Sequence, residues 1–105
     1  MTEHAIQAAF VARAKRAGLL VFSVPNERRG RRELGALQAR GLLTGAPDLI
    51  IVGDGWNAAI EVKTTSGKLR PQQAATLWRF AARGWYARVL RGYAEIDEIA
   101  TDLGF

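Results

Sequence analysis

The chain has 105 residues, 49% hydrophobic and without a single cysteine, which excludes a disulfide framework, a thiolate metal site and a disordered or fibrous class. Its longest apolar runs, Ala17–Phe22 and Leu49–Val52, are too short to cross a bilayer, and the polar N-terminus shows no secretory leader, so a protein of the reducing cytoplasm with no membrane contact is expected. Fifteen Lys and Arg against ten Asp and Glu give a formal charge of +5, and four of the acids lie in the last eleven residues; residues 1–94 therefore hold fifteen basic groups against six acidic ones, a balance that attracts polyanions and nucleic acid above all.

Thr2 caps a predicted helix over about Glu3–Ala17, with Ile6, Phe10 and Ala14 as its apolar stripe and Gly18 as its end. Leu19–Val24 reads as a short buried strand stopped by Pro25. A polar segment, NERRGRREL, follows, and Leu34–Leu43 has room for one or two helical turns. Leu49–Val52 and Ala58–Lys63 read as a hairpin joined through GDGWN. TTSGKL is a loop. Pro71 opens a helix that ends at Gly84, with Ala74, Leu77, Trp78 and Ala81 as its stripe. Tyr86–Leu90 is a strand, and Ile96, Ile99, Ala100 and Leu103 mark a terminal amphipathic helix. With no repeat and no interdomain linker, residues 1–105 read as one α/β domain of order α-β-β-β-α-β-α, a central mixed sheet flanked by helices.

The hairpin carries polar groups that an apolar hairpin does not need. Glu61 and Lys63 are two apart and share a strand face, and Asp48 shares its face with Ile50 and Val52. A loop with an even number of residues, Gly55–Trp56 or Asp54–Asn57, sets Asp48 across from Lys63 and Ile50 across from Glu61. All three polar groups then fall on one face, with Asp48 and Glu61 a diagonal pair roughly 6–8 Å apart at Cβ. An odd loop separates the carboxylates. Two carboxylates this close repel each other, and burial makes their ionisation harder still. A divalent cation removes that penalty; Mg²⁺ takes hard oxygen ligands, and a water bound to such an ion becomes a nucleophile at neutral pH. Lys63 can orient that water or offset charge growing on a phosphate. The pattern is that of a phosphodiesterase.

Other residues belong with it. Glu3, Ile6, Gln7 and Phe10 share one helix face, so Glu3 and Gln7 stand at the end of a core-facing stripe. Gln73 lies in the first turn of its helix, where a free amide can contact phosphate or nothing. Arg28, Arg29, Arg31 and Arg32 make a basic loop suited to DNA backbone contact, joined by Lys68 and Arg70 ahead of the Gln73 helix. No base-reading element is evident, so recognition of DNA shape is expected. Trp56, Trp78, Trp85 and Tyr86 are large apolar groups for so small a domain and are candidates for a homodimer interface.

Taken in order, GAPDLIIV and AAIEVKTTSGKLRPQQ resemble the PD-(D/E)XK nuclease superfamily, and within it the VRR-NUC branch. EHAIQ resembles that branch's N-terminal Glu…Gln helix, VFSVPNERRG its strand and Pro-Asn basic loop, and RPQQ its Gln-bearing helix. The resemblance implies a restriction-endonuclease-like core. It implies that Asp48 and Glu61 are metal ligands with the Val62 carbonyl as a third, and that Glu3 is a further ligand, direct or through water. Lys63 would be the catalytic lysine, Gln73 a residue positioning substrate or lysine, and Gln7 and Asn26 supporting residues. The cofactor would be Mg²⁺ or Mn²⁺.

The chain resembles the small stand-alone forms of phages and bacteria, which are similar to Holliday-junction resolvases. That implies a metal-dependent, structure-specific endonuclease of branched DNA, acting in DNA repair in a bacterial or phage-infected cell. A junction needs two symmetric cuts, hence the expected homodimer. The alternatives are a flap-, mismatch- or restriction-type nuclease of the same fold, or a catalytically silent DNA-binding domain.

Overall fold

The computed structural model describes residues 1–25 and 31–105, and of residues 31–34 the backbone alone. Four strands and four helices follow in the order α1 (Glu3–Arg16), β1 (Leu20–Ser23), α2 (Arg31–Ala39), β2 (Leu49–Val52), β3 (Asn57–Val62), α3 (Pro71–Ala81), β4 (Tyr86–Leu90) and α4 (Tyr93–Leu103). The mixed α/β sandwich is the expected class. The sequence order lacked one element: α2 is a nine-residue helix in its own right, where only one or two turns were expected later in the chain. Its interior Gly35 and weak apolar spacing hide it from a periodicity reading.

The four strands lie side by side in sequence order. β1–β2 and β2–β3 are antiparallel, whereas β3–β4 is parallel. A parallel neighbour requires a crossover, and α3 supplies it. Strand alternation then sorts the side chains. Val21, Leu49, Ile51, Ala58, Ile60, Val62 and Leu90 face one way and meet Ile6, Phe10 and Ala14 of α1 and Ile96 and Ile99 of α4. Ile50 and Ala59 face the other way and meet Leu77 of α3, with Phe80, Trp85, Ala87 and Val89 around them. The sheet is thus covered by α1 and α4 on one side and by α3 on the other.

The local signals account for these ends. Thr2 Oγ1 accepts from the Ala5 N–H at 3.0 Å and caps α1, and Gly104, in the left-handed region at φ 83°, closes α4. The stripe of α3 differs from the expected one. Trp78 is 71% exposed and Ala74 and Ala81 face solvent, while Thr76 and Leu77 are buried with Gln73 and Phe80 beside them. The helix is rotated because two polar residues on its inner face are bonded there, as described below, and an apolar periodicity cannot register them.

Candidate active site

β2 begins one residue after Asp48, and β3 ends one residue after Glu61. The hairpin turn is Gly53–Trp56, closed by the Gly53 N–H donating to the Trp56 carbonyl at 2.9 Å, so Val52 pairs with Asn57 and Leu49 with Ile60. One further step along that ladder sets Asp48 directly opposite Glu61. The loop has an even number of residues, so both carboxylates share a face. The expected diagonal pairing, Asp48 opposite Lys63, is corrected by two residues. The cause is visible in the turn: the Trp56 ring lies over Gly53 so closely that a Cβ there would come within 2.2 Å of it. Packing of Trp56 back onto the strand end shifts the turn.

The two acids have different surroundings. Asp48 is half-buried, and its Oδ2 accepts from the Val62 N–H at 2.8 Å. Glu61 is 2% exposed. Its Oε1 accepts from Gln73 Nε2 at 2.9 Å, with Lys63 Nζ 4.0 Å away. The Arg70 N–H donates to Gln73 Oε1 at 2.9 Å. A backbone N–H can only donate, so the amide oxygen must face it and the amide nitrogen must face Glu61. Gln73 therefore occupies one oxygen of Glu61 in a fixed sense. The other, Oε2, is buried without a hydrogen-bond partner among the described residues.

A carboxylate so placed resists ionisation. The Glu61 pKa is pushed from 4.5 up to about 8, first by burial and then by the neighbouring Asp48 carboxylate. Lys63 opposes the rise and the Glu3 charge adds to it slightly. A buried acceptor lacking a partner, beside a second carboxylate, suits a hard cation that would satisfy both.

Backbone contacts hold the Asp48 arm in place. Gly45 has φ 72°, and a Cβ there would lie 2.3 Å from the Gln72 carbonyl oxygen and 2.9 Å from the Gln73 nitrogen. The loop leading to Asp48 thus lies directly on the first turn of α3. One turn further on, the buried Thr76 hydroxyl donates to the Thr44 carbonyl at 2.9 Å. Neither Gly45 nor Thr76 was singled out from sequence. A glycine two residues before Pro47-Asp48 was the available signal for the first; a lone threonine in a helix carries none.

The structure brings together Asp48, Glu61, Lys63, Gln73 and the Val62 backbone. Glu3 is exposed in the first turn of α1, near enough for its charge to act on Glu61, though no group of three or more metal-ligating side chains forms among the described residues. Gln7 is half-buried on α1. Lys68 and Arg70 are exposed on the loop into α3. Asn26, Arg28 and Arg29 lie outside the described residues; Arg31 and Arg32 open α2, their side chains likewise outside. Of the aromatic groups expected at an interface, Trp56 and Tyr86 pack on the first core and Trp85 on the second, leaving Trp78 exposed. No described helix is long and apolar enough to cross a membrane.

Comparison with known proteins gives the site its context. The profile of the VRR-NUC domain family matches residues 1–94. A solved structure described as "VRR_NUC domain" is 25% identical over 96% of this chain and 97% of its own, with a TM-score of 0.71. A second, described as "VRR_NUC domain protein", is 22% identical over 99% of this chain and 86% of its own, also at 0.71, and shows the shared fold. No curated protein matches significantly. With a profile covering all but the last eleven residues, and the same mixed sheet in solved members, the chain belongs to the VRR-NUC domain family of nucleases.

Proposed function

We propose that this chain is a metal-dependent, structure-specific DNA endonuclease that hydrolyses phosphodiester bonds in branched DNA such as Holliday junctions. The observation that carries the reading is the Asp48–Glu61 pair, with one buried oxygen left unpartnered and Lys63 at 4.0 Å. The donors fit a hard divalent cation, Mg²⁺ or Mn²⁺. Asp48 and Glu61 would hold it, with the Val62 carbonyl as third donor and Glu3 reached through water. When bound, such an ion supplies a nucleophilic water at neutral pH and offsets charge on the phosphate.

The chain's own residues do the rest. Gln73 keeps Glu61 Oε1 engaged, so Oε2 is the oxygen offered. The Asp48 bond to Val62 N–H turns that carboxylate toward the same space. Lys63 holds its ammonium beside the acids, where it stabilises negative charge developing on the scissile phosphate. Lys68 and Arg70, with the arginines at positions 28, 29, 31 and 32, hold the DNA backbone without reading bases. Two copies would set two such sites on one junction.

The test is a panel of junctions, flaps, splayed arms and duplexes incubated with Mg²⁺, Mn²⁺ or chelator. Metal-dependent cutting concentrated on four-way junctions is expected. Cutting concentrated on flaps transfers the assignment to that substrate, and metal-independent or absent cutting by protein that binds DNA overturns the endonuclease reading.

A further inference from the structure

We infer that Arg91 is a positioning residue, a clamp that holds Lys63 and Gln73 in working geometry through the loop between them. It rests on the nuclease reading above and adds to it a residue remote in sequence from the acids.

The loop from Lys63 to Arg70 is anchored at its start by the Lys63 N–H, which donates to the Leu90 carbonyl at 2.9 Å at the end of β4. Thr64–Gly67 then forms a tight turn, closed by the Gly67 N–H donating to the Thr64 carbonyl at 3.1 Å. Both carbonyls at the ends of that turn accept from Arg91: Nη1 donates to Thr64 O at 3.1 Å and to Gly67 O. Arg91 is itself fixed. It is half-buried, and its backbone N–H donates to Glu95 Oε2 at 2.6 Å in the first turn of α4.

Arg91 therefore ties together the end of β4, the start of α4 and the turn that follows the lysine, its backbone N–H holding α4 and its guanidinium holding the turn. What lies on either side of the turn gives the tie its importance. Lys63 precedes it. Arg70, three residues beyond it, supplies the N–H that orients Gln73, and Gln73 fixes which oxygen of Glu61 is engaged. If the turn lifts, the lysine and the amide both lose their reference. A guanidinium is a planar fork on a long stem, and an ammonium at the same position keeps the charge without that geometry.

Two variants separate this role from direct phosphate contact. Arg91→Lys keeps the charge, and Arg91→Gln keeps a donor without it. If Arg91 positions the loop, both lower kcat ~10–100-fold, with KM for DNA within about twofold, and in chelator without DNA both accelerate tryptic cleavage after Lys68. Melting temperatures taken on the same preparations confirm that the variants are folded. If Arg91 instead contacts phosphate, Arg91→Lys retains kcat and Arg91→Gln raises KM, which overturns the clamp. Wild-type kcat in Arg91→Lys, or unchanged proteolysis in both variants, also overturns it. The protease readout needs no activity: a wild-type chain that cuts no DNA while the variants still open at Lys68 refutes the nuclease reading and leaves the clamp standing.

Discussion

A carboxyl group with one oxygen bound to Gln73 and the other buried without a partner has a measurable signature of its own. Folded Glu61 keeps its proton to about pH 8, whereas an unfolded glutamate releases it near 4.5. Between those values the folded chain holds one proton more than the unfolded one. Stability from this group is thus full below about pH 4.5 and declines as pH rises toward about 8, by up to ~1.4 kcal/mol per pH unit. The metal-free protein should show a denaturant midpoint that falls over that window, and Glu61→Gln should flatten the fall. Divalent metal at a hundred times its Kd should restore ~2.7 kcal/mol at the upper end. A metal-free midpoint that rises with pH contradicts the buried, protonated acid. The same residue scale sets the catalytic test. Asp48→Asn, Glu61→Gln and Lys63→Met should each lower cleavage ~10²-fold or more while binding of DNA in chelator persists. Near-normal cutting by either acid variant would remove Asp48 and Glu61 from the metal site.

At the scale of elements, the site depends on how the loop before β2 lies on α3. Gly45→Ala asks a β-carbon to enter the Gln72 carbonyl at a positive φ, and should cost about 1–3 kcal/mol together with a loss of cleavage, because Asp48 moves with the loop. Thr76→Val leaves the Thr44 carbonyl unpaired and should cost about 1–2 kcal/mol. Urea unfolding with a parallel cleavage assay reads both; a Gly45→Ala protein of wild-type stability and rate would show that the loop does not depend on this packing. These elements also mark what was legible in the chain. The bounds of α1, β2 and β4, and the shared face of Glu61 and Lys63, follow from alternation and from Gly, Pro and Thr punctuation, whereas the parity that adds Asp48 to that face depended on a loop length the sequence left open between even and odd. The register did not follow, because GDGWN allows more than one even turn, and the choice depends on the Trp56 ring packing over Gly53. The inner face of α3 did not either, since Gln73 and Thr76 are buried through hydrogen bonds to Glu61 and Thr44, partners that only the fold brings near.

For the whole molecule, charge and exposed apolar surface are both unevenly distributed. The C-terminal acids are engaged on α4: Asp97 pairs with Arg13 at 2.8 Å, and Glu95, Glu98 and Asp102 surround Arg88, whose pKa is raised by the Glu98 and Tyr86 hydrogen bonds. Lys68, Arg70, Arg79 and Arg83, on α3 and its flanks, have no acidic partner among the described residues. Replacing Arg28, Arg29, Arg31 and Arg32 by Ala should weaken duplex binding and reduce the slope of log K against log salt by about 0.9 for each phosphate that is no longer neutralised; an unchanged slope would show those side chains to be merely solvated. The apolar surplus lies largely away from the aromatic groups expected at an interface. Leu20, Phe22 and Val52 share one open face at the β1 edge, 62%, 48% and 39% exposed, and Trp78 stands out from α3. A homodimer covering at least ~1,200 Å² through such surface should sediment at twice 11.5 kDa at micromolar concentration, and Phe22→Ser should dissociate it. A monomer that still cuts junctions would remove the dimer from the mechanism. The pairing of acids with Arg88 and Arg13 has a kinetic consequence as well. With α4 and α3 on opposite sides of the sheet, the neutralised side and the uncompensated side form an electric dipole among the described residues. Near a polyanion such a body experiences a torque before it touches the surface. It turns its α3 side toward the DNA during approach, so fewer encounters are spent in unproductive orientations, and this rotational advantage fades as added salt shortens the range of the field.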